Sequence, residues 1–152
     1  MELLAEQTVV IERNVAVTFA YVTNMENFSE WFPGVLSVAS ADSMPHSTLG
    51  KEYRETVSTP NGGEQTFLLR VKEARPDKLF VTEADHPPLL PRMEVEFAPS
   101  GDRGSTVTWR MFSRNEDPVT RATVVPLAQR VIGERAAQAI VRLKQKLESD
   151  TP

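Results

Sequence analysis

The groups able to do chemistry are few. The sequence holds two histidines, His46 and His86, and no cysteine. Disulfides, thiolate zinc sites and cysteine nucleophiles are therefore excluded together. It has no G-x-S-x-G elbow, no Walker loop and no G-x-G-x-x-G. Gly62-Gly63 reads as a hairpin turn that precedes no helix, so it offers no phosphate cradle. What remains is a small acid–base set. Glu55 alternates with Tyr53 and Val57, Ser113 follows Met111 on the same phase, and Tyr21 lies in a short helix. A carboxylate enclosed by apolar side chains is costly when charged, so its pKa should rise toward values useful for proton transfer. Glu55 could then act as a base and Tyr53 as a hydrogen-bond donor. His86 is a second acid–base candidate, with a solvated loop histidine as the competing reading. The strand phase is ambiguous here. In the other register Glu52 and Arg54 point inward, and Glu55 pairs with Arg54, Arg70 or Arg110 on the outer face.

These groups need elements to hold them. Thr8–Ile11 reads as a first strand. Asn14 caps a helix carrying Val15, Phe19 and Val22, and Asn24 caps a second short helix carrying Phe28, Trp31 and Phe32 that stops at Pro33-Gly34. Strands follow over Val35–Ala41, Gly50–Ser58, Gln65–Ala74 and Leu79–Ala84. Two more are marked by Met93, Val95 and Phe97, and by Val107, Trp109, Met111 and Ser113. Thr59–Gly63, Pro76-Asp77 and Ser100–Gly104 are the turns. Asp85–Pro91 is too proline-rich for a ladder. Leu68 is the apolar exception on the polar face of its strand. From Val125 to Leu147, apolar residues recur at three- and four-residue steps, a long amphipathic helix. Pro126 either sits at its start or kinks it away from an opening turn over Val119–Val125. Gly133 inside it suggests a close approach, by a strand or by a ligand.

Adjacent strands with short turns make an antiparallel meander, apolar on one face only. A seven-stranded sheet must curl to cover its apolar face with one helix, and curling leaves a hollow between them. The expected walls are Trp31, Phe67, Leu69, Met93, Val95, Phe97, Trp109, Met111 and Ser113, with Val125, Ala128 and Ile132 from the helix. Dry core is the competing reading for each. Trp109 stands out, since its ring is large and its indole N–H needs a partner once buried. The loops Thr59–Gly63, Asp85–Pro91 and Arg114–Pro118 should cluster near the start of the helix and form the mouth. Pro87 would stiffen that rim, with Leu89 and Leu90 as its lips.

The order and identity of these residues resemble the SRPBCC (START/Bet v 1-like) superfamily, which includes polyketide cyclase/dehydrase-like and lipid-transport members. The likeness is carried by Phe19, Asn24, Phe28, Trp31, Pro33 and Gly34 in VTFAYVTNMENFSEWFPGV. Further matches are Gly50 with Tyr53, Val71 with Pro76, Gly104 with Thr106 and Trp109, and Leu143, Leu147 and Glu148. The resemblance implies an α+β helix-grip fold over residues 1–152, a single domain. In it a seven-stranded curved antiparallel sheet wraps a long C-terminal helix, with two short helices after strand 1. It implies an apolar cavity for a lipid- or polyketide-like molecule. Its alternatives are a cyclase or dehydratase moving protons with Glu55, Tyr53 or His86, and a coenzyme-Q-binding or ribosome-associated interaction protein. The metal-dependent branch needs two histidines and a carboxylate, and both histidines here lie in turn-like segments, so no metal or other cofactor is expected.

Composition narrows the partners. Hydrophobic residues are 40% and charged residues 25%, an ordinary globular balance, and the net charge is −4. That argues against nucleic acid. Charge is uneven, however. Val119–Pro152 holds six basic and three acidic residues, net +3, which leaves the first 118 residues at −7. This is either a solvated helix face or the mark of an anionic partner for the last helix. No secretory signal precedes the first strand and no apolar run approaches the roughly 20 residues of a membrane span, so the cytoplasm is the expected location. An exposed strand edge or the Leu68 face could support a homodimer.

Overall fold

Period-two alternation produces the seven strands β1 (Glu2–Ile11), β2 (Val35–Ser40), β3 (Glu52–Ser58), β4 (Glu64–Arg75), β5 (Leu79–Ala84), β6 (Pro91–Ser100) and β7 (Gly104–Ser113). The computed structural model describes residues 1–149. The last three positions of the domain expected over 1–152 lie outside the described residues. All strand pairs are antiparallel, in the order β1-β7-β6-β5-β4-β3-β2. Register shifts at Leu3/Ala5, Val35/Ser37 and Val71/Glu73 add local twist and help the sheet curl. The fold is an α+β helix-grip.

β1 and β6 begin well before their expected starts. β1 begins at Glu2 and pairs with β7 as far as Ser113. As an edge strand it tolerates polar and exposed residues that weaken its sequence signal. β6 begins at Pro91, which the proline-rich loop was expected to contain. Proline is tolerated as the first residue of a strand because only part of the ladder needs its amide.

Helix α1 (Val15–Thr23) starts where the Asn14 side chain accepts a hydrogen bond from the Val17 amide. A 3-10 turn over Met25–Asn27 leads into α2 (Phe28–Trp31). The opening turn before the long helix is a separate helix, α3 (Pro118–Thr123), capped by Asp117. The long helix α4 (Val125–Ser149) begins one residue before Pro126, so the proline sits in the first turn, where no amide is needed. Ala136, Ala139, Ile140, Leu143 and Leu147 form its buried stripe. Its far end is tied to the end of β1. Lys144 donates to the Val10 carbonyl (2.7 Å), the Glu12 amide to Glu148 (2.9 Å) and Arg13 to the Leu147 carbonyl (2.6 Å). Gly133 admits no close approach: a Cβ there would meet nothing within 4 Å.

The outer face of the sheet carries ion pairs in rows. Arg70 bonds Glu52 (2.5 Å), Arg110 bonds Glu6 and Glu96 (2.5 and 2.7 Å), and Arg92 bonds Glu83 and Glu94 (both 2.7 Å). These rows fix the phase of β3. Glu52 faces out, Arg70 and Arg110 are already paired, and Tyr53 and Glu55 face in. Leu68 lies on the outer face, partly exposed.

Candidate functional site

The inner surface has a filled end and an open end. At the filled end, α1 and α2 lay aromatic rings on the sheet. Phe19 meets Phe97 edge-on (5.1 Å), Phe28 meets Trp31 (5.0 Å), and Phe32 lies on Trp109 (5.3 Å). Trp109, Trp31, Val95 and Phe97, all expected as cavity walls, are buried here in the core cluster. Phe32 itself lines the cavity, so its ring takes the place expected of Trp109. Among the described residues, the indole N–H groups of Trp31 and Trp109 have no hydrogen-bond partner.

At the open end a cavity of about 320 Å³ lies between the sheet and the first half of α4. Phe67, Leu69, Met93 and Met111 line it from the sheet, and Phe28 and Phe32 from α2. Val124, Leu127, Ala128, Val131, Ile132 and Arg135 line it from the helical side, recurring at helical spacing. Val125, on the same phase one turn earlier, is buried and does not line the cavity. Arg135 was not expected in the site. Its signal was legible, since it lies three residues after Ile132 and seven after Ala128 on the same helix face.

The mouth is built from two of the three expected loops. Thr59, Pro60, His86, Leu89 and Pro91 line it. Pro87 is exposed, and Leu90, with φ 53°, turns away from the cavity. The third loop braces the second. Asn115 Nδ2 donates to the Pro88 carbonyl (2.7 Å), the Arg114 amide to the Leu90 carbonyl (3.1 Å), and Ser113 Oγ to the Leu89 carbonyl (2.6 Å). Ser113 is thus fully buried and holds the rim from below rather than lining the hollow.

Among the described residues, Glu55 is the one carboxylate on the cavity wall. It stands on β3 opposite Val38 and Phe67 and is 8% exposed. Among the described residues it has no ion-pair or hydrogen-bond partner. Burial alone pushes its pKa up to about 7. Phe67 stacks on the His86 ring (4.3 Å between centroids), and His86 Nε2 shares a 2.7 Å hydrogen bond with Gln65 Oε1. Burial lowers the His86 pKa, which favours the neutral ring. Glu55, Phe67 and His86 therefore run as a row from the interior to the mouth.

Tyr53 is placed elsewhere. It is fully buried and does not line the cavity. Its hydroxyl shares a 2.5 Å hydrogen bond with His46 Nδ1, and His46 Nε2 lies 3.6 Å from Glu26. Lys51, 1% exposed, sits over the Tyr53 ring at 4.9 Å and bonds Asp42 at 2.8 Å. Burial first, and then the Glu26 and Asp42 charges, push the Tyr53 pKa up to about 12. Tyr21 lies near α2 and donates to Glu30 (2.6 Å). Among the described residues, no cluster of three His, Asp or Glu side chains could hold a metal. No helix among them is long and apolar enough to cross a membrane.

A family model described as polyketide cyclase / dehydrase and lipid transport matches residues 3–148. Solved structures share the fold at low identity. A START superfamily protein from Mycobacterium smegmatis has a TM-score of 0.77 at 14% identity, covering 98% of this chain and 99% of that one. A protein from Thermus thermophilus has a TM-score of 0.76 at 12% identity, covering 97% and 99%. The di-domain ARO/CYC StfQ of the steffimycin biosynthetic pathway has a TM-score of 0.70 at 14% identity, and the match covers 97% of this chain and 51% of that one. No curated protein sequence matches this one significantly.

Proposed function

The chain belongs to the polyketide cyclase / dehydrase and lipid transport family, and from that premise we propose that it binds a hydrophobic small molecule between the sheet and α4. One observation supports this above the others: an apolar hollow of about 320 Å³ whose wall carries a single buried carboxylate with no partner among the described residues. Apolar burial supplies the affinity, about 0.8 kcal/mol for each CH₂ removed from water. Below pH 7 Glu55 is protonated, so it can donate a hydrogen bond to a carbonyl or hydroxyl of the guest and fix its orientation. The hollow is small. At about 320 Å³ it lies at the lower end of the range of small-molecule sites.

The test is a calorimetric titration with straight-chain alkanols. Affinity should rise about fourfold per added methylene, the equivalent of that 0.8 kcal/mol, and level off once the chain outgrows the hollow. The Met111→Trp variant fills the hollow and should lose binding. If no alkanol binds, or if Met111→Trp binds as well as the parent, the proposal fails.

The raised Glu55 pKa favours a second reading. A carboxyl that exchanges its proton near neutrality suits a general acid or base acting on an enolisable, polyketide-like guest. Tyr53 has no part in it, because its hydroxyl is committed to His46. On this reading Glu55→Gln abolishes turnover of such a guest and leaves its binding intact.

A further inference from the structure

Arg135 is the one cation on the cavity wall. Among the described residues it has no carboxylate partner, whereas Arg70, Arg92 and Arg110 of the outer sheet face are held in ion-pair rows. Its guanidinium lies against the backbone of Gly34, which has φ 88°; a Cβ at Gly34 would stand 2.6 Å from Nη1. Glycine there serves two needs. It accepts a left-handed backbone, and it leaves room for the arginine plane to lie flat. The Gly34 carbonyl accepts from the Ser58 amide (2.9 Å), so Arg135 is seated beside the Ser58 end of β3. Glu55 is three residues away along that strand, about 10 Å at 3.3 Å per residue. The cavity wall therefore carries a carboxyl group and a guanidinium at separate places, with apolar side chains making up most of the rest. This also locates part of the positive charge that collects in the C-terminal segment.

We infer that Arg135 captures the carboxylate of an amphipathic guest whose hydrocarbon part fills the hollow and whose far end brings a hydroxyl or carbonyl to Glu55, which makes the ligand class a medium-chain hydroxy or oxo acid. The inference rests on the cavity reading above. The planar fork of arginine matches a carboxylate with two parallel N–H donors, and charge-assisted bonds of this kind exceed neutral ones.

The experiment compares octanoate with octanamide, which has the same number of non-hydrogen atoms and no charge, by calorimetry at pH 6. The parent chain should bind octanoate about tenfold more tightly. Arg135→Gln should bring octanoate down to the affinity of octanamide and leave octanamide unchanged, while Arg135→Lys should keep part of the preference. Unfolding temperatures of both variants should stay near that of the parent, since Arg135 is only half-buried. Equal binding of the two probes by the parent chain overturns the inference, as does a preference that survives in Arg135→Gln. In both cases the alkanols still bind and the cavity reading stands. Failure of octanoate, octanamide and the alkanols together overturns both.

Discussion

Tyr53 and Glu55 stand two residues apart on the same face of β3 and meet opposite surroundings. Tyr53 is enclosed by its own protein: His46 on its hydroxyl, Lys51 over its ring, and Asp42 and Glu26 beyond them. Glu55 has burial without partners. The first position converts its polarity into stability. The second keeps an unmet hydrogen-bonding capacity, a cost that a folded chain sustains when something other than itself is to meet it. The same contrast runs through the whole inner surface, where rings from α1 and α2 fill one end and the first half of α4 leaves the other hollow.

Four substitutions probe this contrast. Tyr53→Ala should cost the most, about 3–5 kcal/mol in urea unfolding, because it opens a cavity in packed core, takes the hydroxyl from His46 and removes the ring beneath Lys51. Glu55→Gln should act in the opposite direction. The folded pKa of about 7 lies above the ordinary 4.5. Below pH 4.5 the carboxyl is neutral in both states and costs nothing. Between pH 4.5 and 7 the unfolded chain releases a proton that the folded chain keeps, so stability falls as pH rises, by about 3 kcal/mol in total. Glu55→Gln should therefore match the parent at pH 4 and exceed it by up to about 3 kcal/mol at pH 8. A gain that does not vary with pH would break the contrast. Gly34→Ala comes next, with a loss of about 1–3 kcal/mol in thermal unfolding from left-handed strain. It should also weaken octanoate binding by displacing Arg135. Tyr53→Phe is the smallest, about 1 kcal/mol for the hydrogen bond to His46. Were it neutral, Tyr53 would be held by its ring alone.

The fold was legible because each local signal agreed with the others. Asn14 caps α1, Pro33-Gly34 stops α2, and Val107, Trp109 and Met111 alternate with Thr106, Thr108 and Arg110 of the outer face. The site was only partly legible. Phase identifies inward residues but not how far a helix covers them. Val95, Trp109 and Phe97 point inward like Met93 and Met111, and only the placement of Phe19 and Phe32 separates filled end from hollow. The phase of Glu55 could not be read from β3 itself. It is decided by pairings across the sheet, Arg70 with Glu52 and Arg110 with Glu6 and Glu96, which link residues up to 104 positions apart. The Tyr53 cluster was hidden for a related reason, since His46 and Asp42 lie in an irregular segment without periodicity.

The most direct measurement is a carbon-13 NMR titration of the Glu55 carboxyl, alone and with a saturating alkanol. A midpoint near 7 in the free protein that moves when the guest enters is the predicted result. A midpoint near 4.5, the same with and without the alkanol, would mean that the carboxyl is hydrated or paired and that no guest reaches it, contrary to the account.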